Sequence, residues 1–395
     1  VARVEVADTT RALGDLARLH RQRWGGRVIA ITGSVGKTTT KELVAAALAA
    51  TGLSVHKTSG NLNNQFGVPM TLFGLTPQHA VAVLEVGTNA PGEIARLGEI
   101  VQPDVAAVLI AAAAHTEGLG SVSQVADEKA SLFASLGASG TGVVNADDAE
   151  LWARTPPGLR CISFGRSERA QVRLLSAQPT LQGTQVQLVI DGVGEQSLQL
   201  ALIGYAAAIN ACAALACVWA LAGAAAVPGA IAGLSQVAPT PGRMAARSLA
   251  RGVTVIDDSY NANPRSTQVS IETLRELAAA PEARSIAVLS DMKELGALSQ
   301  LEHVRLGELC VRSGIDILVG CGPEMAHATN AAARVAAGRL APHPTRVVHV
   351  VDPLEAARIV RSLWRPGDVV LVKGSRSMAM ERVVAALCQG EAESA

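Results

Sequence analysis

The stretch VIAITGSVGKTTT, residues 28–40, decides how the first part of this chain folds. An apolar run of strand type enters a turn that contains Gly33 and Gly36, and the turn leads into the helix-forming segment KELVAAALAA, residues 41–50. Glycine lets the backbone turn its N–H groups towards an anion, and the following helix places its positive N-terminal end at the same point. The order strand, glycine turn, lysine, hydroxyl and helix predicts a phosphate-binding loop.

The lysine and the threonine of this loop suit the binding of a nucleoside triphosphate with Mg²⁺. Lys37 can reach the β- and γ-phosphates, and the hydroxyl of Thr38 can bind Mg²⁺. The loop is shorter than the common pattern because Ile31 occupies the place of the first glycine, so a plain glycine turn is the alternative. The predicted ATP-binding residues here are Gly33, Ser34, Val35, Gly36, Lys37, Thr38 and Thr39.

Composition limits the class of protein. A chain of 395 residues with 49% hydrophobic content can form two or three domains with large cores. The 34 basic and 34 acidic residues cancel, so charge gives no reason to expect nucleic acid or an anionic membrane as a partner. The six cysteines show no C-x-x-C pair, which is typical of reduced core thiols in a cytoplasmic protein.

Apolar runs of strand length alternate with helical patterns in the first part of the chain, at residues 28–32, 80–85, 105–110 and 141–145. Continuous apolar runs predict strands buried on both faces of a parallel sheet. Residues 186–190 and 196–202 flank Asp191-Gly192 and predict an antiparallel hairpin. Residues 206–227 are mostly alanine and include Asn210, which favours a buried helix over a membrane span.

A second series follows the Pro- and Gly-rich segment 239–242, which predicts a linker. Its strands are expected at residues 253–256, 285–289, 315–319, 346–350 and 368–372. The predicted fold class is therefore α/β: a P-loop ATPase domain with a mostly parallel sheet, and a C-terminal, Rossmann-like, doubly wound domain.

Polar residues cluster where predicted strands of the first domain end. Asn61, Asn63 and Asn64 lie in GNLNNQFGVP, residues 60–69, which is either a loop with side-chain-stabilised turns or a site for a polar substrate. Glu85 ends a strand and is followed closely by Asn89. A carboxylate at this edge, near a phosphate-binding loop, is where Mg²⁺ is often held, although a lone strand-end Glu is usually just solvated.

Two further residues have both a functional and an ordinary interpretation. His115 follows another predicted strand and is either a metal ligand or a surface histidine that closes a turn. Lys129, in the segment Asp127-Glu-Lys129, looks like a solvated helix lysine, because lysine is rarely buried. In the second domain, the polar segments 257–264, 291–296 and 373–378 all end strands, which points to a ligand crevice at that edge.

Taken together, these segments resemble the ATP-dependent Mur ligases of peptidoglycan synthesis, in the branch that adds D-alanyl-D-alanine. The segment DDSYNANP, residues 257–264, is the most discriminating mark. The resemblance implies a cytoplasmic bacterial enzyme, expected to be monomeric. Its implied domains are residues 1–23 as the exit of a truncated UDP-sugar-binding domain, 24–238 as the central ATPase domain and 239–395 as the C-terminal domain.

The implied reaction joins UDP-N-acetylmuramoyl-tripeptide to D-alanyl-D-alanine through an acyl phosphate, with ATP and Mg²⁺ as cofactors. Lys37, His115 and Lys129 are the implied catalytic residues, with Lys129 carbamylated by CO₂. The implied metal ligands are Thr38, Glu85, His115 and Lys129, and Asn210, Arg243 and Asp257 join the loop in binding ATP. Implied substrate residues are Asn61, Asn63, Asn64, Asn89, Tyr260, Asn261, Lys373 and Ser375.

The chain also departs from the family pattern. Leu109 and Ile110 replace two polar residues before the alanine run, Ala90 replaces a histidine, and Ala206-Ala207 replace a His-Asn pair that approaches adenine. Two alternatives stay open, and the replacement of the His-Asn pair favours the second of them. One is another Mur-like amide ligase, such as a folylpolyglutamate-type enzyme, and the other is a catalytically weak nucleotide-binding homologue in cell-wall assembly.

Overall fold

The computed structural model describes residues 3–113, 116–279, 283–338 and 344–389. The chain divides into two compact units. The first comprises residues 1–177, 185–200 and 206–237, and the second comprises residues 178–184, 201–205 and 238–395. The main division after residue 237 lies beside the Pro- and Gly-rich segment from which the linker was predicted.

The first unit contains a nine-stranded sheet with helices packed on it, except that residues 178–184, at the turn between two of its strands, and Tyr205, the first residue of a helix, are counted in the second unit. Its elements in chain order are α1 (Thr9–Trp24), β1 (Arg27–Thr32), α2 (Lys37–Ala50), β2 (Val55–Lys57), α3 (Gly67–Phe73), β3 (Val81–Glu85), α4 (Glu93–Val101), β4 (Val105–Val108), α5 (Thr116–Leu119), α6 (Val122–Ala130), β5 (Thr141–Asn145), α7 (Ala149–Ala153), β6 (Cys161–Gly165), β7 (Val172–Thr180), β8 (Gly183–Ile190), β9 (Gly194–Leu200), α8 (Tyr205–Ala222) and α9 (Val227–Leu234).

The strand order is β2-β3-β1-β4-β5-β6-β7-β8-β9. Pairing is parallel from β2 to β7, and short turns join β7 to β8 and β8 to β9. All residues of β3, β4 and β5 are buried, as expected for strands covered by helices on both faces. Ile31 of β1 pairs with Glu85 of β3, so the phosphate-binding loop and Glu85 leave the same edge of the sheet.

The predicted parallel sheet and hairpin are confirmed, although strands β6 and β7 were not predicted and two further differences appear. The three-residue strand β2 was missed, because a short, half-buried edge strand has too few apolar residues to stand out. The strand predicted at residues 105–110 ends at Val108. After Val108, hydrogen bonds from a side chain and a loop replace the strand pairing. Asn145 Nδ2 donates to the carbonyl of Leu109 at 2.9 Å, and Ser34 N donates to the carbonyl of Ile110 at 2.8 Å.

Two helices of the first unit bear on sequence-based expectations. Helix α1 packs into this unit, because Arg21 is buried and donates to the carbonyls of Val101 and Gln102. Helix α8 is long and apolar enough to cross a membrane by length and composition, and 61% of its apolar window is buried inside the structure. The expected absence of a membrane span stays a prediction.

The second unit contains a six-stranded sheet of order β10-β11-β15-β12-β13-β14. Apolar clusters cover both of its faces. Its elements are β10 (Ala245–Ser248), β11 (Thr254–Asp258), α10 (Pro264–Leu277), β12 (Ser285–Ser290), α11 (Ser299–Arg312), β13 (Ile317–Cys321), α12 (Met325–Ala336), β14 (Arg346–Val350), α13 (Pro353–Leu363), β15 (Val369–Lys373) and α14 (Glu381–Cys388).

The doubly wound character of this second sheet is confirmed, since β11, β15, β12, β13 and β14 are all parallel. The antiparallel edge strand β10 was missed because its mixed sequence AARS has no apolar run. Asp258 pairs with Lys373, and Lys373 pairs with Leu289. The three polar strand-end segments therefore meet at one edge of the sheet.

Candidate active site

The phosphate-binding loop has the backbone that an anion site needs. Gly36 caps α2 with φ of 90°, a left-handed conformation that side chains rarely adopt. A Cβ atom at Gly36 would also lie 2.6 Å from Oδ1 of Asn210, so the predicted nucleotide residue Asn210 lies directly against the loop. Lys37 Nζ donates to the carbonyl of Gly33 at 2.6 Å, which keeps the ammonium over the loop.

Glu85 is buried beside Thr38. Its side chain is 1% exposed, and its Oε2 lies 3.3 Å from Thr38 Oγ1 and 3.4 Å from Asn63 Nδ2. Hydroxyl and carboxylate oxygens are the hard donors that Mg²⁺ prefers, and two neighbouring ligands of octahedral Mg²⁺ lie about 3 Å apart. The spacing and chemistry of this pair therefore fit Mg²⁺.

No group of three His, Cys, Asp or Glu side chains that could hold a metal occurs within the described residues. Mg²⁺ is commonly held by one or two carboxylates together with substrate phosphates and water, so a single carboxylate beside a hydroxyl is sufficient protein support. His115, predicted as a further ligand, lies outside the described residues.

Lys129 is not a solvated helix lysine. It lies near the end of α6 and is 1% exposed. Burial, together with the positive charge of Lys37, lowers the pKa of Lys129 from 10.5 to about 7, while Glu128 acts in the opposite direction. A large fraction of the Lys129 amine is therefore neutral at physiological pH, and the neutral amine is the form that reacts with CO₂.

Glu128 anchors the loop that carries Asn89. Its carboxylate accepts from the backbone N–H of Gly92 at 2.7 Å and of Ile94 at 2.8 Å. The Glu128 carboxylate thus connects the start of α4 to α6, the helix that carries Lys129.

The asparagine-rich loop divides its amides between two roles. Asn64 Oδ1 accepts from the backbone N–H groups of Phe66 and Gly67, so Asn64 stabilises the turn into α3. The side chain of Asn63 lies against Glu85, and a Cβ atom at Gly87 would come within 3.0 Å of it. The turn interpretation is confirmed for Asn64, and a substrate role for Asn63 stays a prediction.

In the second unit, Asp257 organises the segment around Gly242. Asp257 Oδ2 accepts from Gly242 N at 3.2 Å, and its Oδ1 accepts from Ser259 Oγ at 2.6 Å. The guanidinium of Arg243 lies 4.2 Å from the centre of the Tyr260 ring, a cation–π contact that orients both side chains.

Lys373 and Ser375 join the three strand-end segments. Buried Lys373 donates to Asp258 Oδ2 at 2.6 Å and to the carbonyl of Asn261 at 3.0 Å. Ser375 Oγ accepts from Lys293 N at 2.8 Å. Polar groups from three strands therefore converge at this edge, which is where open α/β sheets bind ligands.

Comparison with known proteins places the chain in a family. A model described as the Mur ligase middle domain matches residues 31–218, and one described as the Mur ligase, glutamate ligase domain matches residues 242–376. The UDP-N-acetylmuramoyl-tripeptide–D-alanyl-D-alanine ligase of Escherichia coli (strain K12) is 37% identical over 387 residues, which are 97% of this chain and 81% of that protein. This chain belongs to the Mur ligase family.

Solved structures agree with that assignment. MurF from Acinetobacter baumannii superposes with a TM-score of 0.88 at 30% identity, covering 98% of this chain and 82% of that one. MurF ligase from Thermotoga maritima, solved in complex with ADP, gives a TM-score of 0.87 at 28% identity, covering 99% of this chain and 86% of that one.

In this Mur ligase, two side chains bind the backbone that follows the apolar departures Leu109 and Ile110. Asp148 Oδ2 accepts from Ala111 N at 2.8 Å, and Ser34 Oγ accepts from Ala112 N at 3.0 Å. The segment that leads towards His115 is therefore held by the phosphate-binding loop and by the residues that follow β5.

Sequence reasoning missed two charged residues of this Mur ligase. Lys41 is 1% exposed and its Nζ lies 3.4 Å from Oε1 of Glu85, while Glu128 was noticed only as a neighbour of Lys129. A signal was available for the lysine: Lys41 follows Lys37 by four residues, which places both on one face of α2.

Proposed function

We propose that this Mur ligase joins D-alanyl-D-alanine to UDP-N-acetylmuramoyl-tripeptide in two steps driven by ATP. The observation that carries the proposal is the convergence of Lys37, Thr38, Glu85 and Lys129 in the first unit, in a chain 37% identical to the Escherichia coli ligase of that name. Because ATP and UDP-linked precursors are cytoplasmic, we also propose a cytoplasmic location. The monomeric state stays a prediction.

In the first step, an oxygen of the terminal carboxylate of the tripeptide attacks the γ-phosphorus of ATP, and ADP leaves. Lys37 neutralises charge on the β- and γ-phosphates as the bond breaks. Such charge stabilisation, together with positioning, is the main way in which proteins accelerate phosphoryl transfer. Thr38 and Glu85 would hold Mg²⁺, which supplies further charge neutralisation when bound. The product is an acyl phosphate.

In the second step, the amine of D-alanyl-D-alanine attacks the acyl carbon, inorganic phosphate leaves, and the amine gives up its proton. We assign Tyr260, Asn261, Lys373 and Ser375 to the dipeptide, because they belong to the strand-end segments that converge in the second unit. The nucleotide roles of Asn210, Arg243 and Asp257, and the substrate roles of Asn61, Asn63, Asn64 and Asn89, are proposals of the same kind.

Lys129 is proposed to act as a carbamate. Its neutral amine can add CO₂, which turns a buried base into a carboxylate suited to supporting a metal. His115 is proposed as a further metal ligand by resemblance alone, since it lies outside the described residues.

The test is phosphate release by the full chain with ATP, Mg²⁺, UDP-N-acetylmuramoyl-tripeptide and D-alanyl-D-alanine, omitting each in turn, with the amide product identified by mass spectrometry. We expect release to require all four components. Lys37→Ala is the control for contaminating ATPase.

Other outcomes would favour a different function. Product formation with glutamate in place of the dipeptide would favour a folylpolyglutamate-type ligase. Nucleotide binding without phosphate release or product would favour the catalytically weak homologue, an alternative motivated by Ala206 and Ala207 in place of the adenine-contacting pair.

A further inference from the structure

Four charged side chains of alternating sign lead from the surface to the phosphate-binding loop. Lys57 pairs with Glu42, Glu42 Oε1 lies 2.9 Å from Lys41 Nζ, and Lys41 Nζ lies 3.4 Å from Glu85 Oε1. The exposed fraction of the side chain falls along this series from 44% at Lys57 to 1% at Glu85. The mechanism assigned to Glu85 above makes no use of Lys41.

Lys41 is held rigidly. Its ammonium donates to the carbonyl of Thr58 at 2.7 Å and forms ion pairs with Glu42 at 2.9 Å and Glu85 at 3.4 Å, so three oxygens surround it. The hydroxyl of the same threonine accepts from Glu85 N at 2.9 Å. Thr58 therefore fixes both the lysine and the main chain of the glutamate that it faces.

This arrangement divides the two carboxylate oxygens of Glu85. Within the described part of the chain, Oε1 is buried without a hydrogen bond and is paired with the Lys41 ammonium, whereas Oε2 faces Thr38 Oγ1 and Asn63 Nδ2. We infer that Lys41 is a positioning residue that reserves Oε1, so that a cation beside Thr38 is bound by Glu85 through Oε2 alone. The inference rests on the proposed assignment of Mg²⁺ to Thr38 and Glu85.

One-oxygen binding favours Mg²⁺ over Ca²⁺. Mg²⁺ requires a near-ideal octahedron, and the two oxygens of one carboxylate are too close together to fill neighbouring corners of it. Ca²⁺ accepts more ligands in flexible geometry and often takes both oxygens of a carboxylate. Lys41 therefore sets metal selectivity by blocking the two-oxygen mode.

Charge alone predicts a different result. Lys41 repels every divalent cation, so a purely electrostatic role would change the affinities for Mg²⁺ and Ca²⁺ by the same factor. The ratio of the two affinities, rather than either affinity, is the quantity that tests the inference.

In the experiment, Mg²⁺ or Ca²⁺ displaces Mn²⁺ from the full chain saturated with ADP. Electron paramagnetic resonance of Mn²⁺ monitors the displacement and gives the two affinities. Lys41→Met should lower the ratio of Mg²⁺ to Ca²⁺ affinity by on the order of tenfold, the size typical of residues that orient metal ligands. The matched control is Lys57→Met, which removes the outer lysine without touching Glu85 and should leave the ratio unchanged.

An unchanged ratio in a folded Lys41 variant, or a rise of both affinities by one common factor, would overturn the inference. If Lys41→Met loses its cooperative thermal transition, Lys41→Gln replaces it, because its neutral amide is one bond shorter and cannot span Thr58 and Glu85. Failure of the proposed metal site would give a separate result. If Glu85 does not bind the cation, Glu85→Gln would keep the ADP-dependent Mn²⁺ signal of the unsubstituted chain, and the inference about Lys41 would be wrong as well. A lowered ratio supports the inference whether or not ligation is detected, and a raised ratio contradicts it.

Discussion

Lys129 should react reversibly with CO₂ near neutral pH. With its pKa lowered to about 7 by burial and by Lys37, about three quarters of the amine is neutral at pH 7.5, against about one part in a thousand for an ordinary lysine. The neutral nitrogen attacks the carbon of CO₂, an N–C bond forms and one proton is released. The expected product is a carbamate at Lys129, a position that residue type alone assigned to solvent and that the family resemblance assigned to a carbamate.

To test this, ¹³C-labelled bicarbonate is added to the full chain and the ¹³C nuclear magnetic resonance spectrum is recorded at pH 7.5. One carbamate resonance should appear, vanish in Lys129→Met and persist in Lys57→Met, which removes an exposed lysine. At pH 6 and equal dissolved CO₂ the neutral fraction falls to about one tenth, so the resonance should weaken accordingly. A spectrum without the resonance, or one that keeps it in Lys129→Met, would refute the reasoning from burial.

Three further predictions follow from the same unit. Lys37→Ala should slow ligation about a hundredfold or more, because a charge-stabilising contact is lost in the transition state; unchanged turnover in a product assay would remove the loop from the mechanism. Restoring the pair with Ala206→His and Ala207→Asn should tighten ATP binding by about two- to tenfold per hydrogen bond, and calorimetry that shows no gain would indicate that Asn210 already holds the base. Lys129→Met should raise the free energy of unfolding of the first unit in urea at pH 7 by a few kcal/mol, measured without added bicarbonate. Because the folded state lowers the pKa of Lys129, this lysine destabilises the folded state most below pH 7 and progressively less as the pH rises towards 10.5. A gain in stability that does not shrink between pH 7 and pH 9 would contradict this prediction.

The wider candidate site was only partly predictable. Sequence placed Glu85 at the end of a buried strand beside the phosphate-binding loop, and the register of Ile31 with Glu85 confirms that placement. It could not distinguish Asn63 from Asn64, because identical neighbouring residues give identical local signals. Only the packing of the loop against Gly87 shows that Asn63 faces Glu85 while Asn64 closes a turn.

Features that depend on neighbours along the chain could be predicted from the sequence. The strand, glycine turn and helix at residues 28–50 are contiguous, and their conformation follows from glycine at Gly36 and from apolar periodicity. The parallel sheets are equally local in origin, because uninterrupted apolar runs separated by helices have few other ways to be buried.

Tertiary structure alone decided the electrostatics. The pKa of Lys129 depends on burial under several elements and on Lys37, 92 positions away, and Lys41 meets Glu85 only because β3 lies beside β1 and α2 follows β1. Desolvation and Coulomb interaction act through space, with no periodicity along the chain to reveal them. The order of residues along the chain therefore predicted the phosphate-binding loop, and the packing of distant segments decided which lysine has a lowered pKa and which lysine is paired.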